Sequence, residues 1–302
     1  MPGNKRLQTL SYYSLYSLLY GLSLLPFPLL YGLSDGVCFI LYHVFGYRKK
    51  VVFQNLRNAF PEKSPEEIER MARTFYSYLC DLFLEMFKTL SISRASMLRR
   101  CDMDPAALAL FRELAEEGKS LILVSGHYGN WEWAGNTFSL LCAQPLSVIY
   151  HPLSSPAFDR LMYKMRTRFG TGLIDMNSTF KVMVKQRGTM TATAFIADQT
   201  PQPQRAYWTR FLNQDTPVFQ GPEMIARKLN YPVVFTAVER LRRGYYRIYA
   251  ERLVDEPAAT ADGEISELHT RRLEKDIIGH PEIWLWSHRR WKHAKPINPC
   301  PC

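Results

Sequence analysis

The sequence predicts an α/β fold: a mixed central sheet flanked by helices, preceded by a hydrophobic membrane-anchoring helix or helical hairpin. Three observations predict it. Apolar runs of strand length, such as Leu121–Val124, lead through Gly-containing turns into segments of helical periodicity. Residues 11–46 contain no Lys, Arg or Glu. A chain of 302 residues that is 47% hydrophobic and 22% charged can bury a core and does not resemble a disordered one.

The N-terminal stretch is longer than the roughly 20 residues a helix needs to cross a bilayer. It is interrupted by Pro26 and Pro28, and it carries one Asp (Asp35) and one His (His43). Basic residues flank it, Lys5 and Arg6 before and Arg48, Lys49 and Lys50 after. Residues 1–46 therefore read as an anchor that either spans once, with the body on the cytoplasmic side, or returns as a Pro-broken hairpin. Signal-peptide cleavage is not expected, because the apolar run is long and no A-x-A-like site follows it. Gly32-Leu33-Ser34-Asp35-Gly36 fits the G-x-S-x-G pattern, which has meaning only between a strand and a helix. Inside an apolar anchor it reads as a chance match.

Residues 47–302 read as one domain. Ser64-Pro65-Glu66-Glu67 is a helix start, with proline at the first position and acids in the first turn. Met71, Phe75, Tyr78, Leu79, Leu82, Phe83 and Met86 follow at helical spacing, as core positions do. Asp104-Pro105 opens a helix to about Glu117. Strands are expected at 121–124, 146–150, 190–196, 232–238 and 245–253, and helices from about 131, then at 157–169, 180–186, 223–229 and 268–278.

A net charge of +10 implies an anionic partner, an acidic membrane face or an acidic protein. No zinc-finger, RNA-recognition or Walker signature is present, so nucleic acid is not expected. The six cysteines, Cys38, Cys80, Cys101, Cys142, Cys300 and Cys302, form no CxxC pair and read as free thiols in a reducing compartment. The terminal Cys300-Pro301-Cys302 reads as part of an unstructured tail.

The chemistry-bearing stretch is Ser125-Gly126-His127-Tyr128-Gly129-Asn130-Trp131-Glu132. A histidine paired with a carboxylate can take a proton from a hydroxyl and return it to a leaving group. Five residues apart on one helix, His127 and Glu132 would point about 140° apart. They meet only if His127 precedes the helix and Glu132 reaches back, and Gly126, Gly129 and the N-cap Asn130 permit that geometry. No further ligands at zinc spacing accompany the histidine, so no metal is expected.

Several blocks in order resemble the lipid A late acyltransferases, a lysophospholipid-acyltransferase-like family. They are Gly126 to Glu132; Arg48-Lys49 with Asn55 to Glu62; His151-Pro152 through Asp159-Arg160 with Arg166 and Arg168; Asp198-Gln199-Thr200-Pro201; Phe211 with Thr216-Pro217 and Gly221-Pro222; Glu239-Arg240; and Pro281 to Lys292, with Trp286, His288, Arg290 and Trp291. The basic residues of the His151 block are more loosely spaced than is common in the family.

The resemblance covers essentially the whole chain. It implies an enzyme of the bacterial inner membrane, its acyltransferase domain (47–302) on the cytoplasmic side. Such an enzyme moves a fatty acyl chain from acyl carrier protein to a hydroxyl of a lipid A precursor, without a cofactor. On that footing His127 is the general base and Glu132 its orienting carboxylate. Arg160, Arg168, Asp198 and Arg240 bind substrate, Arg160 and Arg168 through a phosphate or the oxyanion. Another membrane lipid as acceptor (an aminolipid, a glycolipid or a lysophospholipid) and a catalytically silent membrane binding protein are the alternatives.

Overall fold

The computed structural model describes residues 2–296, with side chains from residue 9 onward; Cys300 and Cys302 lie outside the described residues. The first half contains helices α1 (Pro2–Leu24), α2 (Phe27–Phe39), α3 (Lys49–Ala59), α4 (Pro65–Lys88) and α5 (Arg94–Arg100), then β1 (Cys101–Met103), α6 (Pro105–Glu116), β2 (Leu121–Ser125), α7 (Trp131–Leu141) and β3 (Leu146–Tyr150). A π-helical turn, Ile40–Val44, continues α2 directly. The second half contains α8 (Pro156–Arg166), β4 (Gly172–Asp175), α9 (Thr179–Lys185), β5 (Ala192–Ile196), β6 (Ala206–Phe211), β7 (Gln214–Phe219), α10 (Gly221–Leu229), β8 (Val233–Arg242), β9 (Tyr245–Val254) and α11 (Glu264–Gly279).

The seven-stranded sheet runs β1-β9-β8-β2-β5-β3-β4. Its neighbours are parallel except for the β8–β9 hairpin, so it is mixed, as expected. The expected elements all occur, most within two or three residues of their expected ends; β8 runs four residues past Val238 and α11 begins four residues before Leu268. Additional elements are β1, β4, α3, α5 and the separate β6–β7 hairpin. The first two are strands of three and four residues, too short for alternation to register.

Alternation of side chains puts the two faces of the sheet into two cores. Ile122 and Val124 join Val233 and Phe235 under α4, α10 and α11. Leu121 and Leu123 join Ala192 and Val234 under α6 and α7. All eight are buried, and each of the larger side chains contributes about 1.5–3 kcal/mol.

Local sequence explains how the helices begin. Ser64 and Glu67 form a reciprocal capping box at α4, with Pro65 at its first position. Asp104 caps α6, and Asn130 caps α7 by accepting from the Trp133 amide at 3.0 Å.

The G-x-S-x-G match lies inside α2, with no strand before it. Its Ser34 donates to Asp81 of α4 at 2.7 Å. Asp81 is fully buried and also receives Arg240 at 2.8 Å and Arg243 at 2.7 Å; Arg243 in turn reaches Asp35 at 2.6 Å. Glu85, one turn further along α4, accepts from Tyr31 of α2 (2.8 Å), Tyr246 of β9 (2.8 Å) and Asn130 (2.7 Å). The N-terminal helices are thus bonded sideways to the body.

Removing one member of a buried ion pair leaves the others charged without a partner. Asp81→Ala is expected to lower unfolding free energy by about 3–5 kcal/mol, read from urea denaturation. A loss below about 1 kcal/mol would show that Arg240 and Arg243 find water instead.

Candidate active site

Strands β2 and β5 end in register, Ser125 beside Ile196. Two residues beyond each end stand His127 and Asp198, at the carboxyl edge of the sheet where α/β folds collect their ligands. His127 Nδ1 lies 2.5 Å from Asp198 Oδ1, and the His127 amide donates to Asp198 Oδ2 at 2.8 Å. The Trp284 indole N–H donates to the same Oδ2 at 2.7 Å. Burial raises the Asp198 carboxyl's pKa. The His127 charge and these hydrogen bonds outweigh that and hold it down at about 2.

The carboxylate bonded to the imidazole is therefore Asp198, and the expected His127–Glu132 hydrogen bond is not the one formed. Glu132 lies in the first turn of α7 and is gripped from the other side by Arg166 of α8. Arg166 Nε donates at 2.9 Å and Nη2 at 2.5 Å, a fork that occupies both oxygens. Burial opposes ionisation of Glu132, but the Arg166 charge and bonds lower its pKa overall, with a smaller contribution from the nearby His127.

His127, Glu132 and Arg166 line one cleft of about 430 Å³. Asn136 and Gln199 add to its polar lining; Val148, Leu153, Met176, Phe195, Phe219 and Ile225 supply much of the apolar part. A few convergent polar groups in an otherwise apolar slot are the usual make-up of a ligand site. Gln199 Nε2 stands 3.3 Å from His127 Nε2, so the ring nitrogen not bonded to Asp198 faces the cleft.

Other expected site residues serve elsewhere. Arg160 lies over the Tyr12 ring at 4.1 Å and fixes α8 to α1. Arg168 donates to the Thr89 carbonyl. Arg240 is inside β8 rather than after it and pairs with Asp81. None of the three lines the cleft. The basic residue that does, Arg166, belongs to the same sequence block as Arg160 and Arg168. It follows the buried Met162 by four residues, but Arg160 and Arg168 each follow a buried residue, Ala157 and Met165, by three, so spacing does not separate the three.

The His127 loop is clamped by the C-terminal segment. Tyr128 pairs with Trp284 as an isolated antiparallel bridge, the Gly129 amide donates to the Ile283 carbonyl and the Leu285 amide to the His127 carbonyl. Asn55 of α3 in turn holds the Trp286 and His288 carbonyls, each at 2.9 Å, and Arg48 holds that of Ser287. The first and last blocks of the sequence therefore meet behind the histidine.

The model for the family described as bacterial lipid A biosynthesis acyltransferase matches residues 1–293. The chain belongs to this family. A palmitoleoyltransferase of lipid A biosynthesis from Escherichia coli K12 is 21% identical over 91% of the chain and 88% of the relative's length. A lauroyltransferase of lipid A biosynthesis from the same organism is 22% identical over 89% and 87%. A lipid A biosynthesis acyltransferase from Shigella flexneri is 21% identical over the same shares as the first. Membership identifies the chain as an acyltransferase of lipid A biosynthesis, with a lipid acceptor and an association with the inner membrane.

Two positions of this lipid A acyltransferase test the frame of the site. Gly129 sits at φ +62° and a Cβ there would collide with the Val238 carbonyl oxygen. Gly129→Ala should therefore displace the His127 loop and lower the melting temperature by several degrees. Gly135→Ala, where a Cβ would meet only ordinary van der Waals contacts, should change it little.

His269 is buried behind Asp198, and burial pushes its pKa down to about 4. The unfolded chain takes up a proton near pH 6.5 that the folded one refuses until about 4, so this group removes stability as pH falls through that window, about 1.4 kcal/mol per unit. Glu85, raised to about 7 by burial, acts in the opposite sense between pH 7 and 4.5, and His288, lowered to about 4, in the same sense as His269. The measurement is therefore a difference: urea denaturation from pH 7 to 4.5 should show wild type losing stability relative to His269→Gln.

Proposed function

We propose that His127 is the general base of an acyl transfer from an acyl-acyl carrier protein thioester to a hydroxyl of a lipid A precursor, with Asp198 as the carboxylate that orients it. The observation that supports it is the short Asp198–His127 contact with the opposite ring nitrogen facing an apolar cleft.

With its Nδ1–H given to Asp198, the imidazole offers an unprotonated Nε2 to the acceptor hydroxyl. Gln199 Nε2 marks the place such a hydroxyl would take, at 3.3 Å. As the hydroxyl oxygen attacks the thioester carbonyl, its proton passes to Nε2, and the C–S bond then breaks as that proton moves to the leaving thiolate. Asp198 supports the imidazolium formed in between. Arg166 contributes positive charge to the cleft for the tetrahedral oxyanion, and Glu132 holds its guanidinium at that position. The apolar lining accommodates the acyl chain. The net charge of +10 suits an acidic carrier protein and a phosphorylated acceptor.

Purified His127→Ala should lose acyl transfer by about 10²–10⁴-fold without loss of folding, read by product formation from acyl-acyl carrier protein and by circular dichroism. Asp198→Asn should cost at least as much as Glu132→Gln. If Asp198→Asn turned over like wild type while Glu132→Gln was inactive, the orienting role would pass to Glu132. Replacing the donor with acyl-coenzyme A should lower kcat/KM, and equal use of both would remove the carrier protein from the proposal.

A further inference from the structure

The stretch Phe27–Val44 is, among the described residues, the helix long and apolar enough to cross a membrane. At 1.5 Å per residue its 18 residues cover about 27 Å, close to the thickness of a hydrocarbon core. We propose that it does not cross: it lies lengthwise in the surface of an anionic phospholipid bilayer, one stripe in lipid and the opposite stripe on the protein body.

The two stripes differ in kind. Leu29, Leu33, Val37, Ile40 and Val44, spaced by four, four, three and four, are all exposed large hydrophobics. The opposite stripe is seated on α4: Leu30, Ser34 and Tyr42 are buried, and Tyr31 bonds to Glu85. Its polar ties occur in the middle of the helix, where a span would meet the centre of the bilayer. Ser34 bonds Asp81, and Asp35 bonds Arg243. A crossing helix in this arrangement would carry Asp81, Glu85, Arg240 and Arg243 into hydrocarbon, where charged side chains are costly on every insertion scale. Lying in the surface leaves all of them on the protein side.

Charge complementarity points to the same partner. Just past Val44, Arg48, Lys49, Lys50 and Arg289 line one recess with no carboxylate among its lining residues. Cations beside an apolar stripe attract anionic headgroups while the stripe enters the acyl boundary. This placement is independent of the catalytic reading.

The test uses the full chain with a cleavable N-terminal tag, in inside-out and right-side-out membrane vesicles. Tag and body should be cut from the same side, and cleavage from opposite sides overturns the proposal in favour of a span. Cys38 of α2 and Cys80 of α4 are free thiols at the contact between those helices, so mild oxidation of the vesicle-bound protein should join them. Joining in detergent but not in vesicles overturns it in favour of a hairpin that leaves the body.

Leu33→Glu with Val37→Glu should lower the fraction that floats with phosphatidylglycerol vesicles at least about tenfold, with the melting temperature held. Phosphatidylcholine vesicles should float less of the wild type. Unchanged flotation overturns the lipid contact. A dimer that the double variant dissociates, with no flotation of the wild type, makes the stripe a self-association surface instead and also overturns it.

Discussion

The arrangement depends on one buried carboxylate. Asp198 is almost wholly out of solvent, and a carboxylate there is costly unless its oxygens are bonded. It meets that requirement with the ring and amide of His127 and the indole of Trp284, so its ionisation, the histidine tautomer and the position of the C-terminal segment are set together. None of the three has a reason to be where it is without the others. The parallel register of β2 and β5 brings them together, which places the demand on the sheet and not on the loop.

A second carboxylate, Glu132, is held by an arginine and not by the histidine. Two separate charge pairs then border one cleft, one suited to moving a proton and one to fixing a cation. Dividing the tasks avoids two carboxylates competing for one imidazole, an arrangement that would raise the pKa of one of them.

Much of the fold was legible in the sequence because it follows from period and punctuation. Leu121–Val124 has strand length, Asn130 caps the helix after it, and Ser64-Pro65-Glu66-Glu67 starts α4 as such residues should. The histidine was legible as a candidate base too, since it stands between two glycines in the turn from β2 to α7. Its partner was not. Glu132 is five residues from His127 and Asp198 is seventy-one, and only strand register says which is adjacent. The same limit applies to the arginines: Arg160, Arg166 and Arg168 are neighbours in sequence and face Tyr12, Glu132 and Thr89 respectively. Asp198 was expected near substrate from the family resemblance, although its bond to His127 could not be read from the sequence.

Glu85 joins parts of the chain that the sequence keeps far apart. Its three side-chain donors come from α2, from β9 and from the residue that caps α7. A shortened protein beginning after residue 46 would therefore lack the Tyr31 donor, and would expose the fully buried Asp81 once Ser34 and Asp35 were gone. Such a truncation is a different object from the intact enzyme with its tether removed: the hydrophobic helices are part of the wall that keeps the His127 loop in shape.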